Sequence, residues 1–208
     1  MYKYLIIDDH VVTRTGIKFL LFEKYSPADI YEAYNGETAL QLLSENKYDL
    51  LIMDIQMPNT DTLALVEHIR TSYPDTKVLM YSMSSEKIYA KRFMKSGAMG
   101  FLSKEAPLQE IQKAIDTVLS NKIYISDAIA QILAEDTYTK RSSNPFAELS
   151  RRELEIAKLL LSGQTLTEVS QILNIQTSTV GTHKHRLFEK LAISNLLELK
   201  DLATSYNL

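Results

Sequence analysis

Short apolar runs alternate with longer amphipathic segments along the first half of the chain. The apolar runs are rich in branched side chains and predict five β-strands, at residues 4–7, 30–33, 50–53, 78–81 and 100–102. Five segments with helical spacing follow them, near residues 13–22, 37–43, 63–70, 88–96 and 108–119. Strands as uniformly apolar as LLIM at 50–53 need cover on both faces, so the pattern predicts a doubly wound α/β domain with a parallel sheet.

The pattern changes after Ser120. A short helical stretch at 128–134 leads into EDTYTKRSSNPF, whose polar residues and proline are typical of a linker. From Leu149 onward every apolar spacing is helical and predicts four helices, with a capping box at Ser150 and Glu153 and a C-cap at Gly163. The predicted domains are therefore an α/β domain at 1–122, a linker with a short helix at 123–147 and an all-α domain at 148–208.

Composition narrows the class of protein. Of the 208 residues 45% are hydrophobic and 24% charged, and no apolar run reaches the ~18 residues that cross a bilayer. The N-terminus shows no secretion leader, and the lack of cysteine excludes disulfides and thiolate zinc sites. These features predict a cytoplasmic protein with no membrane partner. The net charge is −3, and residues 145–208 carry seven basic and seven acidic side chains, so binding to nucleic acid would depend on local placement.

Polar side chains with recognisable chemistry follow four of the predicted strands. Asp8 and Asp9 come after the first strand, Asp54 after the third, Ser82 after the fourth and Lys104 after the fifth. In a parallel sheet these positions meet at one rim. Adjacent carboxylates repel unless a hard cation such as Mg²⁺ lies among them. The set suits in-line transfer of a phosphoryl group onto the Asp54 carboxylate, with Ser82 as donor and Lys104 as counter-charge.

Each of these residues also has an ordinary interpretation. An isolated pair of acids after an apolar run is more often part of a solvated loop, and the same holds for a single acid or lysine at a strand end. Phe101 is an ordinary core residue on its pattern alone. His10, beside the acids, is more often a loop or cap residue than a metal ligand. The joint placement of Asp8, Asp9, Asp54, Ser82 and Lys104 at one rim favours a functional site over these ordinary interpretations.

The segment TLTEVSQILNIQTSTVGTHKHRLFEKL contains two helices separated by a tight turn at Asn174, a residue that tolerates the left-handed conformation. The first helix has an apolar stripe of Val169, Ile172 and Leu173, and the second has one of Val180, Leu187 and Leu191. The outward face of the second helix carries hydrogen-bond donors suited to phosphates and base edges: Ser178, Thr179, Thr182, Lys184, His185 and Arg186. A solvated polar face is the alternative.

Four ordered motifs, LIIDDH, LLIMDIQMP, VLMYSMS and GAMGFLSK, resemble the signatures of receiver domains of two-component response regulators. The resemblance covers residues 1–122. It implies a flavodoxin-like sheet of five parallel strands and phosphorylation of Asp54 by a sensor histidine kinase. It also implies Mg²⁺ held by Asp9, Asp54 and the backbone carbonyl of Gln56, with Asp8 reaching the ion through water.

The same resemblance assigns roles after phosphorylation. Ser82 and Lys104 would bind the phosphoryl oxygens, and Ser82 with Phe101 would form a switch pair in which the aromatic ring changes rotamer. Two positions depart from the pattern. Met83 is larger than the usual residue, so we expect it to narrow access to the phosphorylation site and to slow phosphorylation. Thr62 replaces a common glycine, so a left-handed turn there would be strained.

Residues 149–203 resemble the LuxR-type helix-turn-helix domain, through LSRRELEIAKLLLSG and the later KL at 190–191. Together the two parts resemble a NarL/FixJ-type transcriptional regulator. The resemblance implies that a helix at 178–191 enters the major groove of double-stranded DNA. A last helix at 196–202 would make a homodimer contact on DNA, and phosphorylation could also favour the dimer.

The helix-turn-helix segment also departs from its family. Gly181 stands where relatives commonly carry a lysine that contacts DNA, and it costs a helix about 1 kcal/mol relative to alanine. Asn174 replaces the glycine of the turn. Gln176 replaces a serine cap, so we expect Thr177 to cap the second helix. Phosphate anchoring is then expected from Lys184, His185 and Arg186, with Thr179 and Thr182 nearest the bases.

The sequence thus predicts a DNA-binding transcriptional response regulator that is not an enzyme. One alternative keeps DNA binding but uses the receiver only for dimerisation, independently of phosphorylation; the intact Asp9, Asp54, Ser82 and Lys104 disfavour it. A second alternative is a Mg²⁺-dependent phosphohydrolase. Such aspartyl phosphatases usually carry D-x-D after one strand, whereas this chain has an adjacent pair after one strand and a single aspartate after another.

Overall fold

The fold was analysed in a computed structural model of the 208-residue chain. The structure describes residues 1–127, 129–130, 144–191, 193, 195–206 and 208, and residues 87 and 205 by their backbone alone. The chain divides into two compact units, residues 1–133 and 134–208. Most of the predicted helix at 128–134 lies outside the described residues. The domain limits at 122 and 148 stay predictions.

Five parallel strands form the sheet of the first unit, in the order β2-β1-β3-β4-β5. The strands are β1 (Tyr2–Ile7), β2 (Ala28–Ala33), β3 (Leu50–Met53), β4 (Lys77–Ser82) and β5 (Gly100–Ser103). All four residues of β3 are buried, as a central strand covered on both faces requires. The predicted parallel α/β sheet is confirmed.

Register brings the carboxyl ends of the strands to one rim. Ile7 pairs with Met53, Met53 pairs with Met80, and Ser82 pairs with Ser103. The residues that follow β1, β3 and β5 therefore start from neighbouring positions, and the last residue of β4 lies beside them. Backbone hydrogen bonds of the sheet therefore place these residues along the same rim.

Five helices accompany the strands: α1 (Val11–Tyr25), α2 (Gly36–Glu45), α3 (Thr62–Ser72), α4 (Glu86–Ser96) and α5 (Leu108–Leu119). Ile6 and Leu79 of the sheet share one core cluster with Leu21 of α1 and Ile115 of α5. Side chains alternate along a strand, so Leu5 points to the opposite face, where it is equally buried. Apolar helix faces on both sides thus fix the sheet.

The chain that leaves α5 still packs on the first unit. Tyr124 belongs to the same core cluster, its amide donates to Met99 O at 2.8 Å, and its hydroxyl donates to Glu110 Oε1 at 2.5 Å. A Cβ on Gly100 would lie 3.0 Å from Tyr124 Cβ, so the glycine makes room for the ring. The first residues of the predicted linker are therefore ordered against the sheet.

The second unit is helical. A 3-10 helix (Pro145–Glu148) precedes α6 (Arg151–Leu161), α7 (Leu166–Ile172), α8 (Thr177–Leu191) and α9 (Leu196–Ser205). The predicted capping box of Ser150 and Glu153 is present, and Gly163 has the positive φ of 88° expected of a C-cap. The prediction of four helices is confirmed for the described residues, among which no helix is long and apolar enough to cross a membrane.

The turn between α7 and α8 confirms one prediction and corrects two. Asn174 takes a positive φ of 49°, as expected. Thr177 is the first residue of α8 and donates its hydroxyl to Ser170 Oγ at 3.1 Å, so the prediction that it caps the helix was wrong. The carbonyl of Gln176 accepts the first helical hydrogen bonds instead. Val169 is buried, but Ile172 is 55% exposed and does not extend the apolar stripe.

Candidate functional site

Three carboxylates lie at the carboxyl rim of the sheet. Asp54 follows β3 and Asp8 follows β1, and they are only 4% and 2% exposed. The Asp54 amide donates to Ile7 O at 2.9 Å, and the Asp8 amide donates to Ala33 O at 3.1 Å, so sheet-like hydrogen bonds hold both backbones. The side chain of Asp9 is one-third exposed and reaches the same point. The predicted convergence of acids is present.

Lys104 neutralises two of these acids. It follows β5, its amide donates to Ser82 O at 2.9 Å, and its Nζ lies 2.6 Å from both Asp8 Oδ2 and Asp54 Oδ2. Burial alone would lower the pKa of Lys104, but hydrogen bonds and charge interactions with Asp54 and Asp8 outweigh it and raise the pKa above its ordinary value. The ammonium is therefore held in its charged form between two carboxylates.

Ser82 supplies the hydroxyl at this rim. As the last residue of β4 it is 1% exposed, and its Oγ donates to Asp54 Oδ1 at 2.5 Å. The same Oγ accepts the amide of Ser84 at 3.3 Å. The Ile55 amide also donates to Asp54 Oδ1, at 2.6 Å. Both oxygens of Asp54 are thus surrounded by donors that could bind negative charge added to this carboxylate.

The acid cluster has the chemistry of a divalent-cation site. Ligand atoms of Asp8, Asp9, His10 and Asp54 all lie within 4.8 Å of one another. Among the described residues Asp9 Oδ1 accepts no hydrogen bond although it is buried, and its close neighbour is His10 Nδ1 at 2.8 Å. Three carboxylates this close together fit a hard cation such as Mg²⁺. His10 is exposed, contacts Asp8 and lies at the N-cap position of α1, in agreement with its interpretation as a loop or cap residue.

The loop after β3 corrects one expectation. Thr62 begins α3, is buried, and donates its hydroxyl to Ile55 O at 2.7 Å. The left-handed residue of this loop is Asn59, at φ 52°, so no strain falls on Thr62. The Gln56 amide lies 3.5 Å from Asp54 Oδ1, which puts this residue in the turn beside the acids. A metal contact from its carbonyl stays a prediction.

Two further residues predicted from the sequence flank the rim. Phe101, in β5, is fully buried and pairs with Met80 of β4. Met83 is 65% exposed and lines a cavity of about 460 Å³ that Lys104 also lines, together with residues of α1 and α5. The switching role of Phe101 and the effect of Met83 on access stay predictions.

The exposed face of α8 carries the residues predicted to contact DNA. Ser178, Thr179, Thr182, His185 and Arg186 are exposed, and Lys184 is half-buried. Val180 and Leu187 lie on the opposite face of α8 and are buried in the core of the second unit. The structure therefore brings all six onto the solvent side of one helix.

Contacts within α8 change the hydrogen bonds and charges that three of these side chains can present to a ligand. Lys184 Nζ lies 5.2 Å from the centroid of the Phe188 ring, and His185 Nε2 lies 3.4 Å from Glu189 Oε1. Thr182 donates its hydroxyl to Ser178 O at 3.1 Å, which leaves its oxygen as an acceptor. The pairing of His185 with an acid was not foreseen, although the i, i+4 spacing of His185 and Glu189 is a signal for it.

A partly buried ion pair connects α8 to α6. Glu153 is 4% exposed, and Lys190 Nζ lies 2.7 Å from Glu153 Oε2 and 3.3 Å from Glu148 O. Glu153 Oε2 also accepts the Ser150 amide at 2.7 Å, as its role in the capping box requires. The sequence revealed the capping box but not the lysine, because the two partners lie 37 residues apart.

A parallel α/β unit with an acidic rim, followed by a helix-turn-helix unit, defines a two-domain regulator of the response-regulator class. Residues 4–116 match the family model described as Response regulator receiver domain. Residues 147–203 match the model described as Bacterial regulatory proteins, luxR family.

Relatives and solved structures agree with these matches. The chain is 35% identical over 209 residues to the response regulator UvrY of Escherichia coli, covering 100% of this chain and 96% of UvrY. It is also 35% identical to the response regulator GacA of Pseudomonas aeruginosa, covering 100% of this chain and 98% of GacA. An RcsB–DNA complex aligns over 98% of both chains with a TM-score of 0.75 and 21% identity, which supports the fold. The chain belongs to the NarL/FixJ-type two-component response regulators with a luxR-type domain.

Proposed function

We propose that the chain regulates transcription by binding double-stranded DNA, and that Mg²⁺-dependent phosphorylation of Asp54 by a sensor histidine kinase controls this binding. The observation that carries the proposal is the position of Lys104 Nζ, 2.6 Å from both Asp8 and Asp54. A lysine in this place balances the acids before phosphorylation and can bind an added phosphoryl group afterwards. Because the genome is its target, we place the protein in the cytoplasm.

The side chains around Asp54 account for the transfer step. A carboxylate oxygen of Asp54 attacks phosphorus, the phosphorus–nitrogen bond of a phosphohistidine breaks, and the leaving imidazole takes up a proton. Ser82 Oγ and Lys104 Nζ already donate to the two oxygens of Asp54. After transfer the same donors can turn to the phosphoryl oxygens with little movement. Phe101, next to this rim on β5, would respond through its rotamer.

The acids of the rim would hold the cation. We assign Asp9, Asp54 and the Gln56 carbonyl as direct ligands, and Asp8 as a ligand through water. Mg²⁺ supplies positive charge that offsets the repulsion between the acids and the incoming phosphoryl oxygens. The close approach of the Asp8, Asp9 and Asp54 carboxylates, whose ligand atoms lie within 4.8 Å of one another, supports this assignment.

Phosphorylation can be tested with a small phosphodonor. Intact-mass measurement of the full chain with phosphoramidate and Mg²⁺ should show addition of one phosphoryl group. Asp54→Asn should abolish the addition, and omission of Mg²⁺ should suppress it. The matched control is Asp61→Asn, because Asp61 caps α3 by accepting the Ala64 amide and asparagine can do the same. A phosphoryl group that still appears in Asp54→Asn would refute the site.

The α8 face supports the DNA-binding part of the proposal. Arg186 and His185 are exposed on it, and Ser178 and Thr179 lie at its N-terminal end, where the helix dipole favours phosphate. The unit carries no excess positive charge, so a single copy should bind weakly. Two copies on paired half-sites would bind more tightly, and we therefore propose a homodimer on DNA.

DNA binding can be tested by selection from genomic fragments with and without beryllofluoride, followed by affinity measurements at several salt concentrations. Arg186→Ala should weaken binding to all sequences and reduce the slope of log affinity against log salt by about one, as expected for a lost phosphate contact. The control is Arg151→Ala, on α6, whose side chain is almost fully exposed and pairs only with Glu155 among the described residues. Equal effects of the two variants would contradict the proposed face.

A further inference from the structure

Glu86 connects two parts of the first unit that are far apart in sequence. It lies in the first turn of α4, and its Oε1 accepts the Ser103 amide at 3.1 Å. Its Oε2 accepts the Ser126 hydroxyl at 2.7 Å. Ser103 is the last residue of β5, whereas Ser126 lies on the segment that leaves α5 and continues to the second unit.

Glu86 is connected in two ways to residues that would sense the phosphoryl group, through its Oε1 contact with Ser103 and through its own backbone. Ser103 precedes Lys104, whose Nζ contacts Asp54. On the other side, Glu86 is four residues after Ser82, and the intervening Ser84 donates its amide to Ser82 Oγ at 3.3 Å. Ser82 and Lys104 are therefore each separated from the Glu86 carboxylate by only a few bonded groups.

Ser126 in turn organises the segment that follows. The Ser126 Oγ accepts the Ile129 amide at 3.3 Å, and the Ser126 carbonyl accepts the Ala130 amide at 2.9 Å. Ile129 is buried. The hydroxyl that donates to Glu86 thus also caps the helical turn at residues 126–130.

We propose that Glu86 is a positioning residue that joins the Asp54 site to this outgoing segment, through the Ser103 amide at one oxygen and the Ser126 hydroxyl at the other. The proposal rests on the proposed function and adds a route for its regulation. Phosphorylation draws Ser82 and Lys104 toward the phosphoryl group, Glu86 follows through the backbone, and the contact with Ser126 changes the ordering of residues 126–130. The second unit then receives the signal through the chain that connects it.

Three variants separate the parts of this route. Ser126→Ala removes the arm to the outgoing segment together with the cap on the Ile129 amide and leaves the Ser103 contact intact, whereas Glu86→Ala leaves that cap in place. Glu86→Ala removes both contacts. Glu86→Gln keeps both, because the amide oxygen can accept from Ser103 N and the amide nitrogen can donate to Ser126 Oγ. The matched control is Ser120→Ala, whose hydroxyl donates to Asp116 O on the exposed end of α5 and does not contact α4.

The experiment compares amide hydrogen exchange in the full chain with Mg²⁺ alone and with Mg²⁺ plus beryllofluoride. In the natural chain, beryllofluoride should alter exchange both around Asp54 and in residues 124–130. Ser126→Ala and Glu86→Ala should keep the response around Asp54. In both variants the amides of residues 126–130 should exchange roughly two- to tenfold faster, which is the factor expected for the loss of one net hydrogen bond. Their beryllofluoride response at these residues, and the gain in DNA affinity, should shrink by a similar factor. Glu86→Gln and Ser120→Ala should behave like the natural chain.

The outcomes distinguish failure of this inference from failure of the proposed function. If beryllofluoride changes nothing around Asp54 in the natural chain, phosphorylation of this site is refuted. If the Asp54 region responds but residues 124–130 do not, or if Ser126→Ala keeps the full response and the full gain in DNA affinity, the role of Glu86 is refuted. A Glu86→Ala chain that fails to fold does not affect this decision, because Ser126→Ala alone makes it.

Discussion

The ion pair between Glu153 and Lys190 should make the second unit sensitive to acid. Hydrogen bonds from Lys190 and the Ser150 amide outweigh the effect of burial and lower the pKa of Glu153 from 4.5 to about 2. One pKa unit is worth about 1.4 kcal/mol, so this depression sets a ceiling of about 3 kcal/mol on the stabilisation. Lys190 is 40% exposed, and solvent screens the pair. We therefore expect Glu153→Gln to cost about 1–2 kcal/mol at neutral pH.

The sign of the pH dependence follows from the direction of the pKa change. The pKa of Glu153 is lower in the folded chain than in the unfolded chain, so its contribution is complete above pH 4.5. It is lost as the pH falls from there toward about 2, because the unfolded chain takes up the proton first. The free-energy difference between the natural chain and Glu153→Gln should shrink over the same range.

This difference can be measured by urea unfolding of the full chain at pH 7 and pH 3. Hydrogen exchange of the amides in α6 reports the unfolding of the second unit. Glu155→Gln is the control, because Glu155 lies on the same helix but pairs at the surface with Arg152. Its effect should be small at both pH values. A Glu153→Gln effect that is equal at pH 7 and pH 3, or no larger than that of Glu155→Gln, would refute the reasoning.

Substitutions at four further positions test local features by urea unfolding. Gly181→Ala should raise the free energy of unfolding by about 1 kcal/mol, because a Cβ there meets no described atom within 4 Å and alanine favours helix. Gly16→Ala, in α1, has equally open space and should have the same effect. A lower free energy of unfolding in either variant would contradict this prediction. Asn174→Ala should cost about 1 kcal/mol at its positive φ, whereas Asn174→Gly should not; equal losses would argue against a left-handed turn. Gly100→Ala should cost about 1–3 kcal/mol, because the new Cβ lies 3.0 Å from Tyr124 and from Leu79, and unchanged stability would mean that these neighbours can move apart.

The sheet and its rim could be predicted because they depend on local pattern. An apolar run such as 50–53 must be covered on both faces, and this condition makes the sheet parallel. In a parallel sheet Asp8, Asp54 and Lys104, which each follow a strand, lie at the same edge, and this does not depend on the conformation of the loops. The chemistry of the site therefore followed from the order of residues along the chain.

The errors arose where tertiary contacts compete with local preference. Thr177 has a good capping side chain, but Ser170 of the preceding helix takes its hydroxyl. Ile172 has the spacing of a core residue, but α7 is short and this end of it is exposed. Tyr124 lies in a stretch with the pattern of a linker, yet the space above Gly100 accepts its ring. None of these partners is visible from the residues nearby in sequence.

The construction of the site also restricts how a signal can leave it. Asp8 and Asp54 are fixed by backbone hydrogen bonds to neighbouring strands, so they can move only if the sheet moves. Ser82 and Lys104 are attached to the sheet on one side, but the chain beyond each leaves the rim toward α4 and α5. We therefore expect a phosphoryl group that attracts these two side chains to displace the loops more than the sheet. Glu86 accepts hydrogen bonds from the end of β5 and from the outgoing segment, which places it on the route proposed above.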